Sequence, residues 1–128
     1  MRSLDTNILV RALVSDHEVQ SPKARAIMAE PCLILPTVVL ETVWVLASRT
    51  SMNAPTIAAV IMALTDMPHI VLADRSAVIW ALERFRRGAD FPDMLHLALS
   101  RAADSFATFD RSIARYADAE VVSVETLA

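Results

Sequence analysis

Four acidic residues spread along the chain, Asp5, Glu41, Asp93 and Asp110, are the side chains whose type and setting point to chemistry. Glu41 is the most telling. It is the single charge in LILPTVVLETVWVLAS (33–48), and glutamate is rarely fully buried unless it is paired. An unpaired carboxylate in apolar surroundings shifts its pKa and neutralises rather than staying ionised. Either Glu41 lies on a solvated edge of its helix or something positive meets it. Asp5 and Asp110 each follow a predicted strand, Asp93 stands just before a predicted helix, and Glu41 lies one turn into the helix after the Cys32 to Leu35 strand. Ligands of open parallel sheets collect beyond the carboxyl ends of the strands, so all four acids are expected at one end of the sheet. Carboxylates within several ångströms repel one another and do not all stay ionised without a cation. An oxygen-only set suits Mg²⁺ or Mn²⁺, with waters completing an octahedron. The plain alternative makes Asp5, Asp93 and Asp110 helix N-caps, each worth about 1 kcal/mol. Capping does not explain Glu41.

The elements that must position these acids are short strands alternating with helices. The spacing predicts a brief strand over Met1 to Leu4, a turn at Asp5-Thr6-Asn7, and a helix through about Val14. Ser21-Pro22 reads as an N-cap with proline at the first helical position, opening a helix to Glu30. Cys32 to Leu35 is a buried strand stopped by Pro36, and Thr37 caps a helix from Val38 to about Arg49. Asn53-Ala54-Pro55 opens a helix that Pro68 ends, and His69 to Leu72 is a second apolar run. Asp74 is expected to cap a helix closing at Gly88. Phe91-Pro92-Asp93 introduces the helix MLHLALSRAA, Ser105 to Phe109 is a strand, RSIARYA a short helix, and Glu120 to Val124 a last strand. Such alternation means α/β with a mostly parallel central sheet and helices on both faces. No repeat, low-complexity segment or long linker divides the chain, so residues 1–128 read as one domain.

Composition narrows the classes. At 128 residues, 55% hydrophobic and 21% charged, the chain is globular and long enough to bury roughly two thirds of its unfolded surface. The apolar content is high enough to hint at surface meant for a partner. The lone Cys32 forms neither an internal disulfide nor a cysteine zinc site; it reads as a small buried hydrophobe in a reducing, cytoplasmic setting. No signal peptide is apparent, and Pro36 and Glu41 interrupt the long apolar segment, so no membrane span is expected. The net charge of −3 argues against a general electrostatic grip on nucleic acid. Gly88 is the only glycine, which excludes P-loops and the dinucleotide fingerprint.

The segments LDTNILVRAL, PTVVLETVWVL, GADFPDMLHLALS and FATFD stand in the order typical of a PIN domain. Over essentially its whole length the chain resembles the VapC-type toxin ribonucleases of type II toxin–antitoxin systems. The resemblance implies a three-layer α/β/α sandwich with a parallel sheet and an acidic, Mg²⁺- or Mn²⁺-dependent site that cleaves RNA. Carried over by position, it makes Asp5 the N-terminal metal ligand, Glu41 the acid of the third helix, Asp93 the acid of the DMLHLALS helix and Asp110 the acid after the TFD strand. Asn7 and Thr108 match polar positions that hold these carboxylates or a bound water. Asp90 is either an auxiliary ligand or a solvated loop acid. The resemblance also implies a homodimer and a VapB-like antitoxin whose C-terminal segment lies in an apolar groove, which the helices ILVRALV and VVLETVWVLAS could supply. Glycine is scarcer than the pattern suggests, and Pro92 stands where a small residue is common. Neither departure touches the acids.

Other residues carry weaker signals. His96 lies one turn after Asp93 but reads first as a helix-surface or partly buried residue, and His17 and His69 have no partner at metal-binding spacing. Arg84, Arg86 and Arg87 meet RNA phosphates or simply form a solvated helix end that suits the macrodipole. Trp44 and Trp80 fall in helical apolar patterns and read as core or interface rather than as base-stacking platforms. The competing functions are a PIN nuclease for RNA maturation without an antitoxin and a non-catalytic PIN-like binding module. A phosphatase of the haloacid dehalogenase type also begins with Asp after a strand, but its second Asp, two residues on, is here Asn7.

Overall fold

Arg2–Ser3 (β1), Cys32–Ile34 (β2) and Ile70–Leu72 (β3) form a parallel sheet in the order β1-β2-β3, with Arg2 opposite Cys32 and Cys32 opposite Ile70. The coordinates are a computed structural model that describes residues 1–117 and 121–128. Parallel neighbours need long crossovers, usually helical. Here Thr6–Val14 (α1) and Gln20–Met28 (α2) connect β1 to β2, and Pro36–Arg49 (α3) and Ala54–Thr65 (α4) connect β2 to β3. These elements make up one compact unit, Met1–Arg75.

The second unit, Ser76–Ala128, takes up the helix Arg75–Arg86 (α5) from its second residue. Phe91–Ala98 (α6), Ser105–Thr108 (β4), Ile113–Tyr116 (α7) and Ser123–Thr126 (β5) follow. Strands β4 and β5 pair in parallel, Ser105 opposite Ser123 and Thr108 opposite Thr126. The fold is thus mixed α/β with parallel strands, as expected, and its hydrogen-bonded strands lie in two sheets, three in the first unit and two in the second.

Burial follows helical period. In α3 the buried residues are Val39, Thr42, Val43 and Leu46, one face at i, i+3, i+4 and i+7. The Thr42 hydroxyl on that face donates to the Val38 carbonyl at 2.7 Å, so its burial leaves no unpaired group. Glu41 and Trp44 fall on the opposite, exposed face. In α6 the buried residues are Phe91, Met94, Leu95, Leu97 and Ala98, and the Phe91 ring meets Phe85 edge-on at 5.8 Å.

Several boundaries differ from the sequence expectation for local reasons. Thr6 begins α1 outright, with Asp5 at its N-cap, instead of belonging to a turn. In α2 the N-cap position is Val19, and the capping acceptor is the ring of His17, whose Nδ1 accepts from the Val19 and Gln20 N–H groups at 3.3 and 3.0 Å, while Ser21 lies inside the helix. Proline opens α3 itself: Leu35 takes the cap position and Pro36 is the first helical residue, where its missing N–H costs nothing. Asp74 does not adopt an extended cap geometry; it is left-handed at φ 51°. Helix α6 begins at Phe91, so Asp93 lies within its first turn, and the helix ends at Ala98. The last strand is Ser123–Thr126; Glu120, where it was expected to start, lies outside the described residues. Cys32 is buried as expected, its thiol donating toward the Glu30 and Ile27 carbonyls and pushed up in pKa chiefly by burial.

Gly88 closes α5. Its φ of +111° is one that side chains avoid, and its N–H and that of Ala89 turn back to the Phe85 and Arg84 carbonyls. A Cβ there would stand 3.3 Å from the Tyr116 hydroxyl. Gly88→Ala is therefore expected to lower stability by about 1–2 kcal/mol, read as a reduced denaturant midpoint at unchanged slope.

Candidate active site

The first-unit acids are placed by the parallel register. Strands β1 and β2 run side by side, Ser3 opposite Leu33, so the helices that follow them leave from the same edge. Asp5 ends the β1 connection in extended geometry (φ −79°, ψ 156°), and its Oδ1 accepts from the Thr6 N–H at 2.8 Å. A carboxylate there also suits the positive end of α1. Glu41 comes from α3, which follows β2. It is exposed on the solvent side of α3 and makes no hydrogen bond or ion pair among the described residues. Asp5, Asn7 and Glu41 share the wall of one cavity of about 300 Å³. The same wall holds Arg11, which pairs with Asp16 at 3.2 Å and donates to Gln20 at 2.9 Å, and Arg49 from the last turn of α3.

In the second unit the acids sit at the start of α6 and just after β4. Asp90 is the N-cap of α6, its Oδ2 accepting from the Asp93 N–H at 3.2 Å. Asp93 is half-buried. Burial pushes its carboxyl above the ordinary value, and the charge of Asp90, a carboxyl–carboxyl hydrogen bond with Asp90 and the charge of Asp110 push the same way, against a smaller pull from His96. Asp110 is shifted the other way: the Ser112 hydroxyl and N–H donate to its Oδ1 at 2.6 and 2.8 Å and hold its carboxyl low. Thr108 fixes the backbone beside it, its Oγ1 accepting from the Asp110 N–H at 3.0 Å. One carboxyl thus resists its negative charge while its neighbour holds charge easily, which is how paired acids come to differ in role.

Among the described residues of either unit, no three His, Cys, Asp or Glu side chains gather closely enough to hold a metal ion by themselves. Asp90 is engaged as a cap and Asp110 is engaged with Ser112. The donor chemistry still fits a hard divalent cation: every candidate donor is a carboxylate oxygen, and a nearby positive charge would offset the burial and acidic neighbours that disfavour the charge of Asp93.

The remaining candidates take structural places. His17 caps α2, His69 meets the Met28 carbonyl through Nε2 at 2.7 Å, and His96 is exposed on α6. Arg84 lies over the Trp80 ring at 4.1 Å, whereas Arg86 and Arg87 are exposed. Trp44 is not core: it is 63% exposed. Sequence reasoning missed Asp90 as the cap of α6 and the cavity residues Arg11 and Arg49. The first was detectable as Asp three residues before Asp93 at a helix start, and the second from the Glu41, Val45, Arg49 spacing along one helix face.

The Asp93 shift has a consequence for folding. A carboxyl whose folded pKa is raised contributes stability below its unfolded pKa and loses it as pH rises through the folded value. At neutral pH the ionised Asp93 therefore opposes folding. Asp93→Asn is expected to unfold at a higher temperature than the wild type at pH 7 in metal-free buffer, with the difference closing below about pH 4. Thermal melts across that range check it.

No curated protein matches the chain. A family model does: the PIN domain matches residues 3–119 and so spans both units. PIN domains are generally nucleases and typically use divalent metals, which agrees with an all-carboxylate candidate site. With the acids of both units lying inside the matched segment, the chain belongs to the PIN domain family.

Proposed function

We propose that the protein is a metal-dependent endoribonuclease and the toxin of a type II toxin–antitoxin pair. The observation that carries the catalytic part is the setting of Asp93: a half-buried carboxyl at the start of α6, raised by burial and by the neighbouring Asp90 and Asp110, in a chain of the PIN domain family. Perturbed carboxyls cluster at functional sites, which supports this reading.

The family resemblance makes Asp5 of the first unit and Asp93 of the second the chief carboxylates for Mg²⁺ or Mn²⁺, with Glu41 and Asp110 contributing where a second ion is used. When bound, the cation supplies a water of lowered pKa and offsets charge on the phosphate oxygens. The chain's own residues do the rest. The two Ser112 donors keep Asp110 ionised at a fixed position, and Thr108 anchors the backbone that carries it. Asn7, in the same cavity wall as Asp5 and Glu41, is assigned to position the first-unit carboxylates or a water. Glu41, exposed and unengaged, is open to a water or a cation. Water displaces the 3′ oxygen from phosphorus, leaving 5′-phosphate and 3′-hydroxyl ends, and no side chain becomes covalently attached.

The toxin part rests on the VapC-like order of the four motifs, and with it come a homodimer and a VapB-like antitoxin. A cavity of about 420 Å³ walled by Leu13, Met28, Leu64 and Met67 supports a helix-in-groove partner. It draws on α1, α2 and α4, whereas the helices ILVRALV and VVLETVWVLAS, α1 and α3, wall the cavity that holds Asp5 and Glu41. No helix of the described residues is long and apolar enough to cross a membrane.

The test is incubation of the purified chain with total cellular RNA and Mg²⁺ or Mn²⁺, mapping new 5′ ends. Discrete cuts are expected, absent with EDTA and reduced by about 100-fold or more in Asp93→Asn. Cutting by Asp93→Asn at the wild-type rate would remove Asp93 from the chemistry.

A further inference from the structure

The first-unit cavity is longer than two carboxylates need. In α1 it is walled by Asn7, Val10, Arg11 and Val14, and in α3 by Glu41, Val45 and Arg49. Both sets follow the i, i+3, i+4 rule of a single helix face. Asp5 caps the start of α1, Glu41 lies one turn into α3, and Arg49 stands in the last turn of α3, eight residues beyond Glu41. At 1.5 Å per residue that is about 12 Å along the helix axis. The cavity is therefore lined by three acids, Asp5, Asp16 and Glu41, and two arginines, Arg11 and Arg49, with valines among them.

The charges within it are not balanced alike. The Arg11 guanidinium is already met by Asp16 and Gln20. Arg49 is exposed, and no hydrogen bond or ion pair holds its guanidinium among the described residues. Thus it does not spend its donors on the last carbonyls of its own helix. A guanidinium held ready beside an apolar wall is the arrangement that takes a phosphate together with the sugar and base attached to it. A volume of about 300 Å³ is at the small end of ligand sites, enough for one nucleotide and not for a duplex. Bases are reached in this way only when a strand is single and its nucleotides can be splayed.

We propose that this cavity is a single-nucleotide subsite for the RNA strand. Arg49 binds a phosphate flanking the cleaved one, and Val10, Val14 and Val45 contact the intervening base or ribose. The inference rests on the nuclease reading for the identity of the strand. Arg49 is a binding residue here and not a catalytic one, so its loss acts on affinity and not on the chemical step.

The test uses the full chain and a fluorescent single-stranded RNA of random sequence. On an Asp93→Asn background, which keeps the RNA intact, adding Arg49→Ala is expected to weaken binding about tenfold and to lower the salt slope by about one phosphate's worth. Arg49→Lys restores the salt slope. In wild-type catalysis, Arg49→Ala raises KM while kcat stays within about twofold. Val45→Phe, which fills the cavity, changes the base preference at one position beside the cut. Circular dichroism confirms that the variants are folded, and the exposed Arg49 carries the test if Val45→Phe is not. Unchanged affinity, salt slope and KM in Arg49→Ala overturn the subsite. RNA binding that depends on Arg49 without cleavage by the wild type leaves the subsite standing and removes the nuclease reading.

Discussion

Carboxylates held near one another carry an energetic cost that scales with how little water surrounds them. Asp93 meets this constraint most directly, being half-buried with Asp90 and Asp110 acting on it. A chain selected only for stability would place Asn at such a position, or move the acids apart. Instead the neighbouring groups are arranged around the charge: Asp90 caps the helix that carries Asp93, and Ser112 gives two hydrogen bonds to Asp110. The same dual use appears in the first unit, where Asp5 both caps α1 and lines the cavity it shares with Glu41. Because Asn caps a helix about as well as Asp, a charge-removing substitution at Asp5 leaves the helix start intact while changing the electrostatics.

Much of this was legible in the sequence because its cues are local. A polar residue after a short apolar run marked Asp5 and Asp110, and the 3.6-residue period of α3 followed from its apolar residues. What remained hidden depends on geometry that composition does not encode. Glu41 lies within an apolar stretch yet faces solvent, because the buried face of α3 is carried by Val39, Thr42, Val43 and Leu46. The apolar pattern left Trp44 as core or interface, and its angular position beside Glu41 leaves it exposed rather than in the core. The start of α6 was placed late because Phe91 and Pro92 look like a loop, although proline near a helix start is favourable. Caps by a histidine ring, as at His17, have no sequence signature comparable to Ser or Asp.

The scarcity of glycine has a structural counterpart. Among the described residues, Ser15 at φ 57° and Asp74 at φ 51° take left-handed backbone without being glycine. Asp is among the residues that tolerate that region. Ser15 follows α1 directly, its N–H donating to the Arg11 carbonyl, so it ends the helix where glycine is usual. Helix ends are thus made with side chains that also hydrogen-bond, as Ser15 does with Arg25 at 2.6 Å.

The most direct test of a carboxylate-held divalent ion is Mn²⁺ binding to the purified chain, followed by electron paramagnetic resonance without RNA present. The expected result is saturable binding that weakens about tenfold or more in Asp5→Asn and in Asp93→Asn, and that weakens on acidification as the carboxyls take up protons. Binding that is absent in the folded wild type, or equal in the wild type and both variants, would contradict a metal role for these acids.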